Sequence, residues 1–290
     1  MEWTEWRRHI DQVVKDEGRW IGLCDGWGKP IMRMPPHLNL SAPESRFAAG
    51  TLDLTVQTLM DGVVSPVVDH MVAEGLGVFD ETGALIVKDN IVDMIAVVTR
   101  GFKRGYVTSY PVAQGGDLAP TSLKVHGTDL LDLLQMWVCP SVPQSWVPNQ
   151  EIWLGDVVEY ETPREVATME FATVADGFTM SGPAEDTIKT LIQDSFDSVN
   201  HQNGWSATPH LVVDMTPTGN ESPHVNIRVQ DQMISETVFP IAQMAGVNIR
   251  VELWWPGDDP VLVRTPDRQS TVLTSWDRAI GVVKIEQIGG

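Results

Sequence analysis

The sequence has only two cysteines, Cys24 and Cys139, set far apart. No CxxC or Cys/His cluster offers a zinc site, and without an export signal two buried free thiols fit better than a disulfide. Long apolar runs are missing as well. No stretch approaches the roughly 20 residues that a membrane-spanning helix needs, so no membrane span is expected. The opening residues, MEWTEWRRHIDQVVKDEG, mix charged and apolar positions and do not read as a signal peptide. Positive charge is scarce too: 20 Lys and Arg stand against 39 Asp and Glu, a net charge of −19. A chain this acidic repels phosphates, which argues against stable nucleic-acid binding, although an acidic wall suits DNA that slides past without being gripped.

Several chemical signatures are also lacking. There is no GxSxG elbow, no GxxxxGK[ST] loop and no GxGxxG after a strand. His201, His210 and His224 fall in one region near Asp214, but their spacings match no metal-ligand set. Paired carboxylates suited to sugar hydrolysis cannot be singled out among so many acids. The reading is therefore of no catalytic residue, no cofactor and no metal.

What is present is a β-rich pattern. At 290 residues the chain is long enough for two compact units, since single cores seldom grow past about 250 residues. Trp3, Trp6, Ile10 and Val13 recur at helical spacing ahead of Gly18, which predicts an amphipathic helix and its stop. RWIGLCDGWGKPIMRM reads as a hairpin on Asp25-Gly26, and TLDLTVQ, LIVKD, DMIAVVTR and YVTSYPVA as strands. GFKRG, residues 101–105, is the one concentrated positive spot and reads as a loop tip. SLKVHGTDLLDLLQMW predicts a strand turning at Gly127 into a short helix, with Thr128 as N-cap and Leu130, Leu131, Leu134 and Trp137 on its apolar face.

Four prolines between Pro140 and Pro163 suggest a crossover and a division into domains at 1–145 and 146–290. A hairpin on Asp176-Gly177 follows, then a helix opening at Pro183 and carrying Ile188, Leu191, Ile192, Ser195 and Val199 on one face. Pro240 is expected to break or delay a further helix that closes at Gly246. Eleven tryptophans, several at element ends, suit contacts with neighbouring subunits better than sugar stacking.

Taken in order, IGLCDGWGKPIMRM, MIAVVTRGFKRGYVTSYPV, LKVHGTDLLDLL, SGPAEDTIKTLI and VFPIAQMAGVNIRVELW resemble the N-terminal hub module of tail-associated proteins of long-tailed bacteriophages, which actinobacterial phages carry as minor tail proteins. The resemblance covers about residues 20–140 and 178–255. It implies a mainly β (α+β) chain with two β-barrel-like hub domains, short helices and inserted loops. It further implies a homotrimeric ring closing the tail tube at the virion tail tip, against the distal tail ring protein, the tape-measure protein and other minor tail proteins, assembled in the host cytoplasm. Such a subunit is structural and not an enzyme. The alternative is a tail-associated protein that binds or hydrolyses cell-wall glycan, but the last strand is soon followed by Gly289-Gly290, so lytic activity would be expected from separate chains. The residues expected to touch partners are Trp3, Trp6 and Ile10 on the first helix and Trp254 and Trp255 at a strand end.

Overall fold

A computed structural model describes residues 2–72, 77–79, 81–83, 85–87, 92–116, 119–147, 150–158, 160–162, 164–167, 169–171 and 178–289. The chain is mainly β with α-helices interspersed, and it divides into two units. They are not the contiguous halves 1–145 and 146–290. The first holds residues 1–132, 251–259 and 275–281; the second holds 133–250, 260–274 and 282–290. The chain thus returns twice to the first unit. A reading along the chain takes each turn-bounded strand as belonging with its neighbours, so such returns escape it.

The first unit opens with α1 (Trp3–Glu17), β1 (Arg19–Asp25), β2 (Pro30–Arg33), β3 (His37–Ser41) and β4 (Thr51–Gln57). Small hairpins and a short helix follow: β5 (Leu59–Met60), β6 (Val63–Val64), α2 (Pro66–Met71), β7 (Gly77–Phe79) and β8 (Leu85–Val87). Then come β9 (Asp93–Thr99), β10 (Phe102–Gln114) and β11 (Ser122–Asp129). The antiparallel sheet runs β2-β1-β9-β10-β11-β4-β3. Its two edge strands, β2 and β3, are separated in sequence only by Met34, Pro35 and Pro36.

Were the seven strands flat, their edges would lie about 29 Å apart at about 4.8 Å per strand. The four Cα steps from Arg33 to His37 reach only about 15 Å. The sheet must therefore roll up. The joint extends the ladder at each edge, Met34 donating its N–H to Ile21 O on β1 at 2.9 Å and Pro36 O accepting from Gln57 N on β4 at 3.0 Å, while β2 and β3 meet through the covalent chain and not through a ladder of their own. This is a barrel, as the resemblance implied for this part of the chain.

Alternation along the strands fills it. Leu23, Leu52, Leu54, Val56, Ile95, Tyr106, Leu123 and Val125 pack in one core with Val67, Val68 and Met71 of α2. That helix forms because Ser65 caps Val67 N and Pro66 pre-sets its first turn. β1 and β9 are buried on both faces, which explains why WIGLC and MIAVV read as continuous apolar runs. Their outer face is covered by α1 through Trp6, Ile10 and Val13, and Gly18 ends that helix in the left-handed conformation.

Three local expectations change in this unit. GFKRG is a turn only at Arg100-Gly101; Phe102, Lys103 and Arg104 already belong to β10. A register shift between Thr108 and Pro111 lets β10 continue past a proline. Gly127 lies inside β11, opposite Leu52 and Thr108, where an added Cβ would come 2.9 Å from Val107 O. It is needed for close strand approach and makes no turn. The cap is Asp129 in place of Thr128, with one carboxylate oxygen accepting from Leu131 N and the other from Gly50 N. Burial pushes the Asp129 carboxyl up despite those donors.

The second unit differs in plan. It contains α3 (Leu133–Met136), β12 (Gln150–Trp153), β13 (Arg164–Ala167), β14 (Phe178–Pro183), α4 (Ala184–Gln202), β15 (Leu211–Val213), β16 (His224–Val229) and α5 (Ile234–Ala245). Later strands are β17 (Val247–Trp254), β18 (Val261–Arg264), β19 (Thr271–Thr274) and β20 (Ile280–Gln287). Small sheets β14-β16, β15-β20-β17 and β18-β19 replace one continuous barrel. α4 is buried almost all round, with Ile188, Leu191, Ile192 and Ser195 inside, Val199 half-buried, and Phe196 edge-on to Trp137. Pro183 is its N-cap. α5 runs through Pro240 as one helix, neither broken nor delayed there, and stops at Gly246 with φ 69°. The proline-rich stretch after Pro140 packs within this unit: Cys139 N donates to Gln232 O at 2.8 Å, and Asp231 accepts from Ser141 N and Oγ. Pro148, Pro163 and the hairpin expected on Asp176-Gly177 lie outside the described residues.

The Trp20 indole folds back over Gly22, so that a Cβ there would overlap the ring. Gly22→Ala should therefore destabilise the first unit by about 1–3 kcal/mol, the usual range for an overpacked core. Equilibrium denaturation followed by tryptophan fluorescence measures it.

Candidate interaction surface

The five residues expected to face partners come together, but inside the first unit. Trp6 is 6% exposed, Ile10 2%, Trp254 5% and Trp255 2%, while Trp3 is half-buried. Trp20, which the sequence did not single out, sits at the centre. Its ring lies 6.2 Å from Trp6 and 6.1 Å from Trp255, both edge-on, and Trp3 lies 6.2 Å from Trp255. Trp255 Nε1 donates to Gly28 O at 3.0 Å, and Asp258 accepts from Trp255 N while pairing with Lys103 and, at 3.5 Å, Arg7. Trp254 stacks edge-on against Trp276 at 5.1 Å. Gly105 makes room for this layer, since an added Cβ would come 2.6 Å from Met94 Sδ and 3.0 Å from Leu253. These tryptophans hold α1 and the returning segment to the barrel. Apart from the edge of Trp3, they offer little area to a neighbour.

Exposed apolar surface lies elsewhere. β12 and β13 form an antiparallel hairpin with Ile152 opposite Glu165 and Trp153 opposite Arg164. Trp153 is 50% exposed, Leu154 86% and Val158 70%, while Val157 is fully exposed; Ile152, Tyr160 and Val166 are also uncovered. Acidic residues alternate with them: Glu151, Glu161, Glu165 and Glu170 are exposed, while Asp156 pairs with Arg164, whose guanidinium also lies 5.4 Å over the Tyr160 ring. A lone two-stranded hairpin is marginal in water, and uncovered apolar surface of this kind marks a contact site. The apolar content of IWLGDVVEY could have flagged it, but the prolines around it suggest a mere connection.

A second surface flanks β2 in the first unit. One hollow of about 560 Å³ lies at the barrel joint, lined by Arg19, Ile21, Arg33, Met34, Pro35 and Pro36. Another of about 510 Å³ lies between α1 and β2, lined by His9, Lys29, Pro30, Ile31, Met32 and Arg33. Both are large enough to take side chains. Their rim is basic, with Arg33 paired to Glu17.

Among the described residues no group of three or more His, Cys, Asp or Glu is placed to hold a metal. His201 ends α4, His210 lies edge-on to Trp205 at 5.0 Å and His224 begins β16. His70 and Asp93 pair at 3.0 Å, partly buried. No described helix is long and apolar enough to cross a membrane. Cys24 and Cys139 are free and buried; burial raises both thiols, Cys139 to about 11.

The densest polar cluster is structural. Glu185 and Lys189 pair one turn apart on α4 at 2.6 Å with both side chains nearly inaccessible. Glu185 also accepts from Thr218 N and Oγ1 and from Gln287 N, and Lys189 donates to Thr216 O. Burial opposes the Glu185 charge, but the bonds from Lys189 and Thr218 outweigh it and hold the carboxyl below its usual range. Asp214 behaves alike: burial raises it, and Lys284 and Thr216 bring it lower still. On the far side of the helix Arg264 bridges Asp194 and Asp197 at 2.6 Å each. These bonds fix the 214–223 loop to α4 and β20.

No protein-family model matches the chain, and no curated protein matches it. Among solved structures it is similar to the tail protein from Neisseria meningitidis MC58, with 12% identity, 89% of this chain and 68% of that chain covered, and a TM-score of 0.36.

Two outcomes follow from the buried groups. Because the folded-state values of Glu185 and Asp214 are depressed, their stabilisation is complete above the ordinary values of 4.5 and 3.8 and is lost as pH falls through the lower folded values. Glu185→Gln should cost about 3 kcal/mol or more at neutral pH, with the gap from wild type narrowing below that range in urea titrations run at several pH values. In native protein both cysteines should resist a thiol reagent such as DTNB and react fully only once the chain is unfolded.

Proposed function

We propose that the chain is a structural, non-enzymatic subunit of a phage tail tip, a baseplate hub or minor tail protein. In this reading copies form a ring, three to a turn, that closes the tail tube and meets the distal tail ring protein and the end of the tape-measure protein while DNA is delivered. The carrying observation is the β12–β13 arm: a folded, strongly acidic chain holds Leu154, Val157 and Val158 in water in the connection that leaves a two-stranded hairpin. Such surface is stabilised only when other protein covers it. The ordered sequence resemblance to hub modules supports the same reading, as does the rolled sheet of the first unit, whose two edge strands, β2 and β3, are short and so offer little for indiscriminate pairing. The net charge of −19 suits a passage that DNA traverses without adhering.

The test is location and chemistry together. Antibody-gold labelling of intact virions should mark the tail tip, and host cell walls incubated with purified protein should release no soluble muropeptides. Label elsewhere on the particle, or muropeptide release, would overturn the proposal, the second in favour of a wall hydrolase.

A further inference from the structure

We infer that the β12–β13 arm of one copy seats on the face around β2 of a second copy, its apolar side chains filling the two hollows and its acidic rim meeting the basic one. This rests on the assembly reading above and names the surfaces that would carry it. Each surface by itself is chemically unfinished. The arm presents Ile152, Leu154, Val157 and Val158 to water and carries the exposed acids Glu151, Glu161 and Glu165. The β2 face has Ile31 exposed and Met32, Pro35 and Pro36 along its hollows, edged by Arg19, Lys29 and Arg33. Its one lining acid, Glu17, is already paired with Arg33.

Charge decides the pairing. On a molecule with 39 acids and 20 bases a basic apolar patch is the exception, and an acidic apolar arm is steered to it. Arm against arm would bring like charges together, which costs affinity. Strand addition at β2 is discouraged by Pro30 and by the register shift between Leu23 and Cys24, so the contact is made by side chains. Because two different patches meet, the contact is head-to-tail, the kind that generates a ring when its rotation closes.

The experiment uses the full chain. Sedimentation equilibrium should show self-association of wild type at micromolar to submillimolar concentration. The doubly reversed arm (Glu161→Lys with Glu165→Lys) and the doubly reversed face (Arg19→Glu with Lys29→Glu) should each associate at least about tenfold more weakly. A chain carrying both sets should recover, and Leu154→Asp should weaken association without lowering the melting temperature, since all these side chains are exposed. In an equal mixture of unlabelled and nitrogen-15-labelled chains, carbodiimide coupling should link Lys29 to an arm glutamate in mixed-mass pairs. A monomeric wild type, reversals without effect, no recovery in the combined chain, or links confined to single copies would each overturn the inference. A monomer that still labels the tail tip would sink this contact alone; a chain absent from the tip that nonetheless associates through the arm would sink the tail reading alone.

Discussion

The first unit depends on one short joint. Met34, Pro35 and Pro36 connect the two edge strands of a seven-stranded sheet, and no flat arrangement lets so few residues reach from one edge to the other. Rolling the sheet gives every alternate residue of β1, β4, β9 and β11 a common interior, which is why Leu23, Leu54, Val125 and Ile95 converge though they are far apart in sequence. Two prolines in the joint fix φ and withhold donors, so the segment cannot become a paired strand of its own. The hollow beside it is a direct result: the ladder stops there, and side chains line the gap.

Much of this plan was legible in the residues. Alternation located β4 and β11, and helical spacing with a following glycine located α1. Closure was not legible from local pattern, since it depends on which strands pair; only the family resemblance suggested it. The tryptophans show the limit most clearly. Composition marks Trp3, Trp6, Trp254 and Trp255 as unusual, yet nothing local says that residues 251–259 return to the first unit and bury their indoles against Trp20. Gly22 and Gly105 carried the signal in principle, as glycines inside apolar strands where something large must approach. The apolar arm escapes local pattern for the opposite reason: Leu154, Val157 and Val158 have the chemistry of a core and the position of a surface.

The second unit holds itself together differently. Its central helix buries Glu185, Lys189, Gln193 and Asp194 beside Ile188 and Phe196, and nearly all of their polar atoms are partnered. Satisfied networks of this kind add little net stability over an apolar core, but removing any one partner leaves a buried polar group unpaired, which is costly. A loop as polar as TPTGNESP is thereby held in one conformation, with Thr216 and Thr218 tied to α4.

The double return of the chain to the first unit also bears on biosynthesis. When a ribosome has delivered only the strands through β11, Trp6 and Trp20 still lack Trp255, which lies more than a hundred residues downstream. The nascent barrel must wait with an indole-lined flank open to water until nearly the whole polypeptide has emerged. Premature termination anywhere before Trp255 would therefore leave a sticky, aggregation-prone product.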